Sequence, residues 1–253
     1  MLKKRIIPSL LIKNNKLVKG KNFKDYRNVG DPVSAIKVYS NQQADELIFI
    51  KIDDKESIRD FVNILSVASS NCFTPLTAGG GIVNLKIIET LLKSGADKVI
   101  INSYLLENKP FLKKASKVFG KSTIIAGVDI IKDNNSYQIF NNKKKKVVKN
   151  IDLFEWLKFL DNDDCGEIYI NCVHADGLMN GYDIDLAKLI MKNIRTPVIF
   201  NGGAGNFNHI FELFSKTNVH AAGCSSIFHF GDNNPIRANS YIRNRGILLK
   251  KIK

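Results

Sequence analysis

The 253-residue sequence predicts a single (β/α)8 barrel made of two similar halves. Short apolar runs alternate about eight times with segments whose apolar residues have helical spacing, and these runs lack the alternation of half-buried strands. Glycine-rich turns follow two of the runs, at 79–81 and 202–205. An open doubly wound sheet is the alternative, but that fold carries its glycine fingerprint after the first strand, where residues 11–14 contain no glycine.

The first half of the chain supplies four of the predicted strands. Asp31 is a suitable N-cap for a helix at 32–39, and Gly95 follows the helix at 85–94, as expected at a helix C-terminus. Residues 17–20 form a short apolar piece that can make a hairpin in the first loop. The predicted strands are 5–11, 46–50, 76–78 and 98–101, and the remaining helix is 58–68.

The second half repeats the alternation of strands and helices. A helix at 110–119 ends at Gly120, and the next strand, 123–129, finishes in the carboxylate of Asp129. Apolar arms then flank a run of four lysines at 143–146, which predicts a hairpin insertion at about 132–150 rather than a second domain in the chain of 1–253. The later strands are 167–171, 198–201 and 221–225, and the later helices are 153–160 and 185–193.

Two pairs of residues indicate an internal duplication of half-barrels. Gly80 and Gly203 are separated by the same number of positions as Asn102 and Ser225, and each pair follows corresponding strands. Glycine lets backbone N–H groups face an anion, and a helix that starts just afterwards adds its positive N-terminal end. The sequence therefore predicts two matched phosphate sites.

The composition limits the classes of partner. A net charge of +14 suggests an anionic partner, but the lysines are scattered, and the dense run at 143–146 has no interleaved aromatic residues that would stack on bases. A solvated loop is therefore favoured over a nucleic-acid site, and the positive charge can instead steer a phosphorylated metabolite.

The cysteines and the start of the chain predict a cytoplasmic protein. The four cysteines have no CxxC spacing and lie in or beside apolar runs, which indicates reduced, buried thiols and no metal cluster. The apolar run at 6–12 is short and leads into Lys13 without a small-residue cleavage site, so we expect neither a signal peptide nor a membrane span. No motif predicts a cofactor.

Asp129 is the first candidate catalytic residue. At the C-terminal end of a barrel strand it would lie at the centre of the mouth, where partial desolvation can tune a carboxylate for acid–base chemistry. The alternative is that it caps a turn or pairs with a lysine. Asp176 and Gly177 are a second candidate contact or an ordinary turn, and His174 is either a general base or a surface residue.

Short motifs occur in order along almost the whole chain, at residues 4–7, 18–23, 30–33, 45–47, 79–82, 95–99, 176–177, 181–183 and 202–205. Together they resemble the cyclase (HisF) subunit of imidazole glycerol phosphate synthase. The resemblance implies a barrel that takes ammonia from a separate glutaminase subunit and acts on phosphoribosyl-formimino aminoimidazole carboxamide ribonucleotide. The products would be imidazole glycerol phosphate and aminoimidazole carboxamide ribonucleotide.

The resemblance also implies roles for individual residues. Asp129 corresponds to one of the family's two catalytic aspartates. Gly81, Asn102 and Ser103 would hold one phosphate, and Asp176, Gly177, Gly203, Cys224 and Ser225 would line the other end of the substrate site. Arg5, Glu46, Lys98 and Glu167 match the charged ring through which ammonia enters, although charge at strand starts is also ordinary.

Three positions depart from the family pattern. Leu11 stands where the second catalytic aspartate is expected, Lys51 replaces an aspartate after the second strand, and Leu178 replaces a polar residue. Because a leucine cannot transfer a proton, two functions stay open. One is a cyclase that relies on Asp129 and another group. The other is a paralogue that binds a glutaminase and conveys ammonia, resembling partners of enzymes that amidate surface-polysaccharide sugars.

Overall fold

The structure, a computed structural model, describes residues 3–52, 57–134 and 136–250. Its strands follow one another along the chain with helices between most of them. The strands are β1 (Arg5–Lys13), β2 (Lys16–Lys21), β3 (Lys24–Gly30), β4 (Leu47–Lys51), β5 (Leu76–Gly79), β6 (Lys98–Ile101), β7 (Ile124–Asp133), β8 (Ser136–Asn141), β9 (Lys146–Val147), β10 (Glu167–Cys172), β11 (Val198–Asn201) and β12 (Ala221–Cys224).

Eight of these strands are parallel and form a closed ring in the order β1-β4-β5-β6-β7-β10-β11-β12. The ring closes where Arg5 of β1 pairs with Ala221 of β12. Closure leaves no free strand edge in the ring. The predicted (β/α)8 barrel is confirmed.

The helices surround the barrel and pack their apolar faces on it. Their ends follow local signals. Asn84 caps α3 (Leu85–Lys93) and Asn206 caps α7 (Phe207–Lys216), each by accepting from the backbone N–H three residues further along, at 3.0 Å in both cases. The helices of the described residues are α1 (Pro32–Asn41), α2 (Ile58–Ser69), α3 (Leu85–Lys93), α4 (Pro110–Phe119), α5 (Leu153–Leu160), α6 (Ile184–Asn193), α7 (Phe207–Lys216), α8 (Ser226–His229) and α9 (Pro235–Arg243).

Two antiparallel extensions rise from the barrel beyond the C-terminal ends of its strands. β1 continues past Leu11 to Lys13 and pairs with β2, which pairs with β3. β7 continues past Asp129 to Asp133 and pairs with β8, which pairs with the short β9. Asn135 lies outside the described residues.

These extensions correct two of the predicted boundaries. We expected the first strand to end at Leu11 and the fifth at Asp129, but each strand runs further because an antiparallel partner continues its hydrogen bonding. β3, α7 and α9 were not predicted as elements. β3 is mostly exposed and polar, so its residues lack the apolar pattern that identifies a buried strand.

The barrel interior is formed by alternate residues of each parallel strand. The inward side chains of β1 begin with Arg5, Ile7 and Ser9, and those of β10 are Glu167, Tyr169 and Asn171. A small buried cluster fills the middle of the barrel, separate from the larger core between strands and helices. It consists of Ile7, Ile48, Ile100, Ile125, Tyr169, Ile199 and Ala221.

None of the helices in the described part of the chain is long and apolar enough to cross a membrane. The larger core between strands and helices is instead covered by amphipathic helices of ordinary length.

Stability should depend on this outer core. Leu65 of α2 is fully buried, whereas the side chain of its helix neighbour Val67 is 54% exposed. We expect Leu65→Ala to lower the free energy of unfolding by about 2–5 kcal/mol, because it leaves a cavity between helix and barrel. Val67→Ala should change it by less than about 0.5 kcal/mol. Urea unfolding followed by circular dichroism measures both, and equal effects would contradict this packing.

Candidate functional site

A ring of four charged side chains lies at the N-terminal ends of the barrel strands. Arg5 donates to Glu46 at 2.7 Å and to Glu167 at 2.8 Å. Lys98 completes the ring, with its Nζ 2.6 Å from Glu167 and 3.5 Å from Glu46. The four residues predicted from the resemblance therefore form one connected network.

Burial and ion pairing shift the pKa values of Glu167 and Arg5 in opposite directions. Burial opposes ionisation of Glu167, but hydrogen bonds and charge from Arg5 and Lys98 outweigh it and lower the pKa of its carboxyl. The partner Arg5 keeps its proton, since the two glutamates raise its pKa despite burial. Next to the ring, burial raises the pKa of Asp45 to about 6. Arg5 and Glu167 are thus both charged at neutral pH.

Tyr169 lies between this ring and the opposite mouth of the barrel. It follows Glu167 on the inward face of β10 and is almost completely buried. Its hydroxyl is 3.5 Å from the Ser9 hydroxyl on β1. Burial raises the pKa of the Tyr169 phenol, so the group stays neutral. The interior therefore offers two neutral hydroxyls among isoleucines.

Asp129 lies at the mouth on the inward face of β7 and is 4% exposed. Asn171, its neighbour across the β7–β10 pairing, donates to Asp129 Oδ1 at 3.3 Å, and Asn102 also hydrogen-bonds the carboxyl. Burial raises the pKa of Asp129 to about 7, against the opposing effect of these two amides. A carboxyl that titrates near neutrality can donate or accept a proton.

Leu11 occupies the corresponding inward position on β1. It pairs with Ile50 of β4 and with Val18 of β2, at the level where the barrel opens into the first extension. Its side chain is partly buried. The apolar surface of Leu11 and Ile50 thus borders the mouth, with no titratable group at position 11.

Asp176 and Gly177 contact the first extension. Asp176 forms a buried ion pair with Lys19 of β2. Lys19 was not among the site residues predicted from the sequence. A Cβ at Gly177 would overlap the Gly20 carbonyl oxygen, and its φ of 74° also requires glycine. The mouth pocket beside this contact is lined by Lys19, Gly20, Lys21, Asp25, Arg27, Gly177, Leu178, Met179 and Phe230.

The two glycine turns have matching backbone geometry. Gly80 has φ 98° and Gly203 has φ 109°, and a Cβ on either would overlap a carbonyl oxygen, that of Lys51 or of Gly181. Gly81, with φ 70°, faces open space. The helices α3 and α7 begin shortly after these turns, so helix N-termini approach both.

The second pair of predicted residues also matches in conformation. Asn102 has φ −123° and ψ −99°, and Ser225 has φ −129° and ψ −82°. Each precedes a single helical turn, which starts at Ser103 or at Ser226. Their side chains differ, because Asn102 reaches Asp129 whereas the Ser225 hydroxyl donates to the Ser9 carbonyl oxygen at 2.8 Å.

Cys224 does not present its side chain to the mouth. It is an outward residue of β12, fully buried, with its thiol 3.3 Å from the Tyr182 hydroxyl. Burial raises the pKa of this thiol to about 12, so it is protonated. Only the backbone of Cys224 is available to a ligand.

His174 is held by hydrogen bonds outside the barrel axis. Its Nδ1 accepts from the Lys132 backbone N–H at 3.0 Å, so its proton is on Nε2, which donates to Asp183 at 2.9 Å. Cys172 lies 3.3 Å from the same nitrogen. These three side chains are close enough for a metal ion, but the neutral His174 has no lone pair left to bind one. They link β10 to α6.

The sequence analysis did not identify Lys19, Asn171 and Asn201 as candidate site residues. Asn171 and Asn201 follow apolar strand runs, which is the only local signal that they carry. Lys19 is one of many lysines and is distinguished only by its burial.

The chain resembles known proteins over nearly its whole length. A family model described as "Histidine biosynthesis protein" matches residues 5–234. The imidazole glycerol phosphate synthase subunit HisF of Bacillus cereus (strain AH187) is 39% identical over 234 residues, which cover 92% of each chain. The HisF subunit of Methanococcus vannielii is 35% identical in an alignment of 268 positions, gaps included, that covers 98% of each chain.

The matching turns predict two anion sites that can be lost one at a time. Gly203→Ala should remove phosphate binding at one turn, because the new methyl group overlaps Gly181, and leave the turn at Gly80 and Gly81 intact. Crystals grown in phosphate should then show one anion instead of two. Gly246→Ala is the control, since Gly246 also has a positive φ, 82°, but no close neighbour. An unoccupied pair of turns in the natural protein would contradict the prediction.

Proposed function

The chain belongs to the histidine biosynthesis protein family, and on that premise we propose that it is a HisF-like synthase subunit that receives ammonia from a glutaminase subunit. The acceptor site is the mouth that contains Asp129, where a bisphosphorylated ribonucleotide of the imidazole glycerol phosphate synthase type binds. The observation that carries the proposal is the line of inward residues from the charged ring through the barrel to Asp129.

The proposed route for ammonia follows β1 and β10. Neutral ammonia passes a desolvated interior at lower cost than ammonium, since burying an unpaired charge is strongly unfavourable. The hydroxyls of Ser9 and Tyr169 offer hydrogen bonds midway. The ring formed by Arg5, Glu46, Lys98 and Glu167 is the proposed entrance, and the glutaminase binds around it.

The proposed substrate carries two phosphates. The paired turns at Gly80 and Gly203 support two anion sites of similar build. Gly81, Asn102 and Ser103 belong to one end of the substrate site, and Asp176, Gly177, Gly203, Ser225 and the backbone of Cys224 belong to the other. The lysines and arginine of the mouth pocket add attraction for a polyanion. We expect a protein that acts on a substrate of this class to work in the cytoplasm.

Proton transfer is the weak step of the proposed reaction. Asp129, with a pKa near 7, is the proposed catalytic acid–base residue on one side of the ring that forms. On the other side Leu11 can neither donate nor accept a proton. We therefore assign the chain a HisF-like site with impaired cyclisation.

A second candidate function follows from the same departure. A barrel that binds a glutaminase and passes ammonia on without cyclisation, for amidation of a surface-polysaccharide sugar, would need the charged ring but not a second aspartate. The apolar Leu11 and Leu178 at the mouth favour this candidate. Turnover with the ribonucleotide separates the two.

Replacing Leu11 tests the impaired step. We expect the natural protein, given ribonucleotide and ammonium salt, to turn over about 10²–10⁴ times more slowly than a cyclase with both aspartates, because a positioned acid–base group contributes on that order. Leu11→Asp should recover part of this rate, as measured by product formation in steady state.

Leu11→Asn is the matched control, because it is polar and of similar size but transfers no proton. A gain in Leu11→Asp alone supports the assignment of the mouth as a cyclase site. Ordinary cyclase turnover in the natural protein would contradict impaired cyclisation.

The charged ring should determine glutaminase binding. Lys98→Glu places a third carboxylate beside Glu46 and Glu167, so we expect the dissociation constant for a HisH-type glutaminase to rise by about tenfold or more. Lys93→Glu is the control, since Lys93 is exposed and pairs with Glu89 of the same helix. Analytical ultracentrifugation of the mixed subunits measures both. A natural protein that stays monomeric with every glutaminase tried would count against the partner.

A further inference from the structure

Two asparagines form a hydrogen-bonded chain that ends on Asp129. Asn171 lies opposite Asp129 in the β7–β10 pairing, and Asn201 lies opposite Asn171 in the β10–β11 pairing. Asn201 donates its amide to Asn171 Oδ1 at 2.8 Å, and Asn171 donates its own amide to Asp129 Oδ1 at 3.3 Å. All donors therefore point in one direction, toward the carboxylate.

The chain occupies space that glycine leaves free. A Cβ at Gly223 would lie 2.6 Å from Asn201 Oδ1 and 2.7 Å from Asn201 Cβ, closer than atoms can pack. A Cβ at Gly127 would similarly lie 2.9 Å from the Cβ of Asn102, the other amide on Asp129. Two barrel strands thus carry glycine where the amides around Asp129 need room.

We infer that Asn171 is a positioning residue for Asp129. Asn201 acts on Asp129 through Asn171, because it fixes the orientation of the Asn171 amide. If Asn201 did not occupy the Asn171 oxygen, the Asn171 amide could turn and present that oxygen to the carboxylate. The inference rests on the proposed function only for its catalytic consequence, which is that Asp129 stays available as an acid and a base near neutral pH.

The charged and titratable groups around Asp129 are few. Asp176, beyond the end of β10, raises the pKa of Asp129, and Lys145 of the β8–β9 turn lowers it. Tyr169 of β10 and Tyr26 of β3 also interact with Asp129 electrostatically, and burial keeps both phenols neutral. Burial raises the pKa of Asp129, and the largest effects that lower it are the hydrogen bonds from Asn102 and Asn171.

A purely structural role makes a different prediction. If the asparagines only fill the mouth, a leucine of similar volume at either position should leave the titration of Asp129 unchanged. If they position and stabilise the carboxylate, the loss of each donor should favour the protonated acid.

The test is a titration of the Asp129 carboxyl by ¹³C NMR in the full-length protein without substrate. We expect a midpoint near pH 7 in the natural protein. Asn171→Leu should raise it by about one pH unit, since a hydrogen bond to a charged group is lost. Asn201→Leu should raise it by less. The double variant should titrate like Asn171→Leu alone, because Asn201 acts only through Asn171.

Asn193→Leu is the matched control, because Asn193 is an exposed amide on α6 and should not move the midpoint. Asn171→Val, a better strand former, replaces Asn171→Leu if that variant does not fold. An unchanged midpoint in a folded Asn171 variant would overturn the inference, and additive effects in the double variant would overturn the role of Asn201. Since no substrate is needed, absent cyclase turnover would leave this result unaffected.

Discussion

The alternation of inward and outward side chains in a closed barrel is the constraint on which the rest of the molecule depends. Once eight strands close with fixed register, every second residue of each strand points into one shared interior. Arg5 and Leu11 therefore lie on the same line along β1, and Glu167 and Asn171 lie on the same line along β10. The charged ring and the mouth are thus two ends of one line of inward side chains.

Local sequence patterns predict much of this arrangement. Apolar runs and glycine punctuation predict the barrel, because a buried parallel strand must be apolar on both faces. The position of Asp129 after such a run predicts a desolvated carboxylate at the mouth, and the structure gives it a pKa near 7. The equal spacing of the Gly80 and Gly203 turns predicts two matched phosphate sites. Both glycines have a positive φ, and phosphate binding at the two turns stays a prediction.

What the sequence did not reveal depends on neighbours across strands. Asn171 contacts Asp129 because β7 and β10 pair in this register. The two residues are far apart in the sequence, so no local pattern links them. Lys19 is buried against Asp176 only because β1 continues into an antiparallel extension, for which the polar β3 gives no apolar signal. Cys224 was expected at the substrate site, but its thiol points outward because β12 places Gly223 and Ser225 on the inner face.

Under the proposed function, the charged ring is the entrance for ammonia, and the mouth combines the carboxyl of Asp129 with the apolar Leu11. We propose that such a protein still binds the bisphosphorylated ribonucleotide but converts it slowly. A crystal structure obtained after soaking with that ribonucleotide and ammonium salt tests this most directly. The account predicts an intact substrate whose phosphates lie at the turns of Gly80 and Gly203 and whose reacting atoms lie between Asp129 and Leu11. Cyclised product at the mouth, or a ribonucleotide bound elsewhere, would contradict it.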